Sequence, residues 1–191
     1  MLLNRKPNRL KGYDYSQNNF YFVTSCVENR ICFFGKIVPV RTVSDLSVQC
    51  EITNGEMVLN EYGKIAEQQW YWLGEQYSYV ILHEFVVMPN HVHGIIEINR
   101  DTVGTGRDLS LQPPQAIKIK SLSELIGAYK TTSSKQIHLL ECRDRSQPIP
   151  TFKWQRSFYD HVIRDENSYE LIANYILSNP SSWEQDRFYT L

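Results

Sequence analysis

The sequence predicts an α+β domain: one antiparallel sheet with helices packed on it, in a ferredoxin-like arrangement. Three observations predict it. Short β-branched and aromatic segments alternate with longer segments that start on capping residues, in the order strand, hairpin, helix, strand, strand, helix, strand, helix. Two of the strand segments, Tyr79 to Met88 and His91 to Ile98, are separated only by Pro89-Asn90, so they pair as antiparallel neighbours. Helices that interrupt an antiparallel sheet bury their apolar stripe on its face, which gives a layered α+β sandwich.

Taken in order, residues 1–18 are polar with basic and aromatic punctuation and read as an arm. Phe20 to Val27 is aromatic and β-branched, hence a strand. Residues 36–59 alternate around Thr53-Asn54-Gly55, and Asn-Gly predicts a hairpin turn there. Asn60 caps a helix whose Ile65, Trp70 and Leu73 form an apolar stripe, ending near Gly74. After the strand pair, residues 100–116 carry Gly104, Gly106, Pro113 and Pro114 and read as an exposed loop. Ser121-Leu122-Ser123-Glu124 resembles a capping box opening a helix to Leu140. Phe152 to Ile163 is aromatic and irregular, with strand character near its end. Asp165 caps a last helix to about Ser178, stopped by Pro180.

The totals narrow the function classes. A chain of 191 residues, 42% hydrophobic, suits one globular domain. No apolar run approaches the ~20 residues of a membrane helix, and the N-terminus lacks a signal peptide's apolar stretch, so a soluble cytoplasmic protein without a membrane partner is expected. None of the four cysteines forms a Cys-x-x-Cys pair, which leaves a zinc ribbon or thioredoxin motif unsupported. A net charge of −1 does not mark a nucleic-acid binder. Charge placement is more telling: Arg5, Lys6, Arg9 and Lys11 form a basic N-terminal arm, and a second set includes Lys130, Arg156 and Arg164. With acids interspersed in the second set, this is either a mixed solvated surface or a limited phosphate-contacting surface suited to a short strand.

Two constellations carry chemistry. His91-Val92-His93 lies at the start of a strand, where alternate residues leave the same face. Both imidazoles then share one side, a geometry for two nitrogen ligands on a divalent ion, while Val92 points into the opposite layer. On the last helix Tyr175 and Asn179 are four apart and share a face. The amide oxygen of Asn179 is a hard ligand that can complete a two-histidine site for Mg2+ or Mn2+, with the Tyr175 hydroxyl one turn away. Taken singly, each has a bland alternative: two surface histidines after a turn, and a core aromatic followed by a helix cap.

Three spaced stretches resemble a known family. They are Tyr21-Phe22-Val23-Thr24 with Asn29-Arg30 and Phe33-Phe34-Gly35; Val86 through Ile95 (Val-Val-Met-Pro-Asn-His-Val-His-Gly-Ile); and Trp154 through Arg164, continuing through Tyr175-Ile176 and Asn179-Pro180 to Trp183. Together they resemble the IS200-like single-tyrosine transposases of the HUH endonuclease superfamily, and more particularly their REP-associated relatives. The match spans about Phe20 to Asp186, which implies an arm at 1–18 and a catalytic domain at 19–188.

The resemblance implies a fold similar to RNA-recognition domains, with His91, His93 and Asn179 as ligands of Mg2+ or Mn2+ and Tyr175 as nucleophile. The REP-associated branch has Asn at the third ligand position, where the insertion-sequence branch has Gln. It further implies cleavage and strand transfer of single-stranded or hairpin DNA through a 5′-phosphotyrosine, by a monomer or homodimer. Arg5, Lys6, Arg9, Lys11, Lys130, Arg156 and Arg164 are the candidate DNA contacts; His161 is a candidate base, but a structural role, orienting its neighbours in the aromatic segment, is the stronger reading. The alternative is a non-catalytic nucleic-acid-binding module of the same fold. A histidine-triad hydrolase is disfavoured, because a third alternating histidine would fall at Ile95.

Overall fold

The computed structural model describes residues 9–41, 52–104, 118–143 and 151–189. Six strands and three α-helices appear among them: β1 (Asn19–Cys26), β2 (Gly35–Arg41), β3 (Ile52–Leu59), α1 (Glu61–Gln76), β4 (Val80–Val87), β5 (His91–Ile98), α2 (Leu122–Arg143), β6 (Tyr159–Ile163) and α3 (Glu166–Ser178). Their starts follow local chemistry. Asn60 Oδ1 accepts from the Gly63 amide at 3.0 Å at the head of α1. The capping box forms as expected, the Ser121 amide donating to Glu124 Oε2 at 2.8 Å. Asp165 Oδ1 accepts from the Ser168 amide at 2.8 Å at the head of α3.

The main sheet has the order β4-β5-β1-β6 with every pairing antiparallel. With α1 between β1 and β4, and α2 between β5 and β6, this is the ferredoxin-like topology. The two faces differ. One carries α1 and α2 over a large core that includes Tyr21, Val23, Trp70, Val92, Ile96 and Tyr129. The Tyr129 hydroxyl donates to the Ala66 carbonyl at 3.1 Å, tying the two helices together. The other face carries α3 over a smaller cluster of Ile95, Ile163, Ala173 and Ile176. Alternation along β5 thus sends Val92 and Ile96 to one layer and His91, His93, Ile95 and Glu97 to the other.

The structure corrects the expected details in three places. The hairpin of β2 and β3 forms a separate two-stranded sheet, but Asn54-Gly55 is not its turn. Gly55 lies within β3, paired with Pro39, and residues 42–51, between the two strands, lie outside the described residues. A β-carbon at Gly55 would come within 2.4 Å of Ile37 Cγ2 and 2.9 Å of the Pro180 carbonyl oxygen, so close packing explains this glycine. Helix α1 runs two residues past Gly74, to Gln76. Finally, β4 shifts register between Leu82 and Phe85, so His83 and Glu84 sit in a bulge. No helix among the described residues is long and apolar enough to cross a membrane.

Candidate active site

Strand β5 and helix α3 bring the predicted residues together. His91 and His93 are both fully buried under α3, and their Nε2 atoms face each other at 2.9 Å. The Tyr175 hydroxyl lies 3.2 Å from His93 Nε2. Phe22 on β1 stacks on the His93 ring at 5.4 Å and meets Tyr175 edge-on at 6.2 Å, which fixes both rings. Tyr175 nevertheless keeps 39% of its surface exposed, unlike the two histidines beneath it.

The tautomers follow from the outer contacts. His91 Nδ1 sits 2.8 Å from Asn90 Oδ1, an acceptor only, so the ring proton is on Nδ1 and Nε2 presents a lone pair. His93 Nδ1 meets the Thr24 hydroxyl at 2.8 Å, which can serve either role. With its proton on Nε2, His93 donates to the Nε2 lone pair of His91 across this gap. With His93 protonated on Nδ1 instead, both Nε2 lone pairs converge, and the two imidazoles could serve one divalent cation. Burial pushes His91 down to about 3, with Arg187 and Arg30 adding to the effect. Burial also holds His93 well below the usual imidazole range, followed by its neighbour His91. Both rings are therefore neutral near neutral pH, the state a metal ligand needs.

The sequence reading missed a residue that completes this arrangement. Asp186, on the segment after α3, joins His91 and His93 as the group whose ligand atoms all lie within 4.8 Å of one another. Its Oδ2 accepts from the Tyr175 hydroxyl at 3.1 Å and from Asn179 Nδ2 at 3.1 Å, and its Oδ1 accepts from the Phe188 amide at 2.6 Å. Asn179 is buried at the end of α3, and its Oδ1 has no hydrogen-bond partner among the described residues. An orphaned buried amide oxygen beside two neutral imidazoles and a carboxylate fits a hard divalent ion. Tyr175 is pushed up to about 12, first by burial and then by the charge and hydrogen bond of Asp186.

Chain packing brings Asp186 to this place. A 3-10 turn at Pro180–Gln185 packs against β3, and Trp183 and Phe188 close over His91, with ring separations of 6.0 and 4.7 Å. Arg30 and Arg187 lie over the Phe188 ring at 5.3 and 4.5 Å, a pair of cations at the rim. The signal for Asp186 in the sequence was weak: one acid flanked by Trp183 and Phe188 just past the helix-stopping Pro180.

The other candidates are spread out. Arg9 stacks on Phe158 at 4.7 Å and reaches Asp160 at 3.9 Å. Lys11 is exposed, as are Arg156 and Arg164. The Lys130 ammonium donates to the carbonyls of Gln155 and Ser157 at 2.9 and 2.7 Å, and burial lowers it to about 8. Arg5 and Lys6 lie outside the described residues. His161, on the edge strand β6 opposite Phe22, is exposed and makes no hydrogen bond to Tyr175.

No family model matches the sequence. A protein of unassigned function from Haemophilus influenzae is 37% identical over 186 residues, covering 97% of this chain and 93% of that protein. Among solved structures, a REP-associated tyrosine transposase bound to a REP hairpin superposes with a TM-score of 0.53 at 13% identity, covering 94% of this chain and 76% of that one. The chain belongs to one family with the Haemophilus protein, and its fold is that of an IS200/REP-type tyrosine transposase. In this transposase-like fold, β5 and α3 are the elements that carry the imidazole pair and the tyrosine.

Proposed function

We propose that the protein is a metal-dependent HUH endonuclease and strand transferase acting on single-stranded or hairpin DNA, with Tyr175 as nucleophile. The observation that carries the reading is the hydroxyl of the part-exposed Tyr175, held between His93 Nε2 and Asp186 Oδ2. A phenol buried for packing alone has no need of an imidazole and a carboxylate converging on its oxygen. The hairpin held by the structural relative supports the choice of DNA.

His91, His93, Asn179 and Asp186 would hold the divalent ion, Mg2+ or Mn2+. When bound, that ion polarises the scissile phosphate and stabilises charge on the departing oxygen. The chain's own groups supply the rest. The Tyr175 oxygen attacks phosphorus, its proton passing to Asp186 Oδ2, and the bond from phosphorus to the 3′ oxygen breaks. The 3′ oxygen leaves as a hydroxyl after taking up a proton from water, and the 5′ phosphate stays on Tyr175. The phosphotyrosine conserves the bond energy, so a later 3′ hydroxyl can attack it and rejoin a strand without a nucleotide cofactor. Arg30 and Arg187 at the rim offer charge to flanking phosphates.

The test is adduct formation on a labelled hairpin oligonucleotide with Mn2+, read on a denaturing gel. The wild-type protein should yield a covalent adduct that EDTA abolishes, and Tyr175→Phe should bind the hairpin yet form none. Adducts that persist in Tyr175→Phe would reject this assignment; metal-independent binding without any adduct would favour the non-catalytic module.

A further inference from the structure

We propose that Asn90 is a positioning residue for this site: its carboxamide joins the ring tautomer of His91 to the placement of Asp186, so that the two are set together. The inference deepens the reading of His91 and Asp186 as ligands of one cation.

Asn90 is fully buried in the turn between β4 and β5, and the Val27 amide fixes its backbone by donating to the Asn90 carbonyl at 2.8 Å. Its side-chain Nδ2 donates to two carbonyls, that of Arg30 at 3.1 Å and that of Phe188 at 2.9 Å. Peptide oxygens only accept, so the atom facing them is the amide nitrogen. The carboxamide oxygen is then the atom that meets His91 Nδ1, at 2.8 Å. An amide oxygen also only accepts, so His91 carries its proton on Nδ1 and keeps a lone pair on Nε2. Two carbonyls from segments far apart in the chain therefore dictate the tautomer of His91.

The same carboxamide reaches Asp186 through a single residue. Phe188 gives its carbonyl to Asn90 and its amide hydrogen to Asp186 Oδ1, the latter at 2.6 Å. The other carboxylate oxygen accepts from the Tyr175 hydroxyl at 3.1 Å. A continuous run of hydrogen bonds thus leads from His91 through Asn90, Phe188 and Asp186 to Tyr175. A displaced Asn90 side chain would disturb both of its ends.

The backbone beside Asn90 is strained in a way that serves this joint. Asn29 and Arg30 are consecutive non-glycine residues in the left-handed region, with φ of 57° and 56°. Asparagine visits that region readily, arginine much less so, and such strain persists only where the surroundings over-determine it. Arg30 is engaged at both ends. Its carbonyl accepts from Asn90, while its Nη1 donates to the Arg187 carbonyl at 3.1 Å and its guanidinium lies over the Phe188 ring. The turn and Asn90 together grip residues 187 and 188, directly after Asp186. Asparagine suits the place because one short side chain offers an acceptor and donors at once. Aspartate lacks the donors, and leucine, of similar shape, lacks both.

The experiment uses the full chain, metal-free and labelled with 15N-histidine. Long-range proton–nitrogen spectra read the tautomer of His91, assigned by its loss in His91→Gln, and hydrogen exchange reads the amides of residues 186–188. The wild-type protein should show the proton of His91 on Nδ1. Asn90→Leu should lose that single tautomer, speed exchange of the Phe188 amide by roughly tenfold, and weaken Mn2+ binding by about tenfold or more. Asn90→Asp should keep the tautomer, because its carboxylate still accepts from Nδ1, yet quicken Phe188 exchange, because its donors are gone. Asn60→Ala, which loosens the head of α1, should move none of these readouts. A proton on His91 Nε2 in the wild-type protein would overturn the proposal without needing any variant. Unchanged Phe188 exchange in either folded Asn90 variant would overturn it too, as would equal changes in Asn60→Ala, the mark of a merely structural role. A wild-type protein that binds no Mn2+ rejects the metal reading, while the tautomer and exchange measurements still decide the role of Asn90.

Discussion

Asp186→Asn separates the two tasks that the geometry gives Asp186. The substitution keeps the shape of the side chain and removes its charge. In the wild-type protein Asp186 is the anionic member of the group formed with His91 and His93, so its loss leaves a site made of neutral donors. Changes of this kind lower metal affinity by about 10- to 100-fold, equivalent to roughly 1.4 to 2.7 kcal/mol. The effect on Tyr175 has the opposite character. Its phenol is pushed up to about 12 by burial first and by the charge and hydrogen bond of Asp186 next. Removing the second and third causes lets the phenol fall back toward its ordinary value near about 10. The variant should therefore bind Mn2+ more weakly while its Tyr175 ionises more readily. Mn2+ affinity is read by electron paramagnetic resonance. The ionisation of Tyr175 is read as the phenolate absorbance difference between proteins with Tyr and with Phe at position 175. A Mn2+ affinity within about twofold of wild type would refute the reasoning, because the negative charge of a coordinating carboxylate contributes to the affinity for a hard divalent cation.

Three further outcomes are expected. Gly94→Ala would bring a β-carbon within 2.3 Å of Trp70 Cζ2, in a ring stacked on Phe85 at 4.5 Å, so the indole must retreat. Overpacking of about 1–3 kcal/mol should lower Tm by roughly 3–10 °C in a thermal melt followed by circular dichroism, and an unchanged Tm would show that the layer yields freely. In the metal-free protein, His91 titrates near about 3 when folded and at about 6.5 when unfolded, so its contribution is fully present above the unfolded value and is lost as pH falls toward the folded one. Urea midpoints should drop by the equivalent of roughly 2 kcal/mol between about pH 7 and about pH 5, and a midpoint that rises over that window contradicts a buried neutral ring. Asn60→Ala removes the cap on Gly63 and the bond from Asn60 Nδ2 to the Phe33 carbonyl at 2.8 Å, so about 1–2 kcal/mol of stability should disappear in urea unfolding, with Mn2+ affinity retained.

The fold was legible wherever a local rule governed the chain. Asn60, the Ser121–Glu124 box and Asp165 announced three helix starts because a capping side chain acts on amides only three residues away. The pair β4 and β5 was legible because Pro89-Asn90 leaves room only for a tight turn. Asn54-Gly55 misled because a glycine serves a turn and a close approach equally well, and only the Pro180 carbonyl beside it shows which applies. The bulge at His83 and Glu84 left no mark in a segment that reads as a continuous strand.

The candidate site divides the same way. The sequence by itself determined that His91 and His93 share a face and that Tyr175 and Asn179 share another, since strand and helix periods act within single segments. Only the tertiary structure decided that those faces meet, that Phe22 fixes the rings between them, and that Asp186 joins them from beyond the end of α3. Asp186 has no periodic relation to the other three. The packing of Trp183 and Phe188 on His91, braced by the β2–β3 hairpin, holds it there, and contacts between segments distant in the chain carry no spacing signal along it.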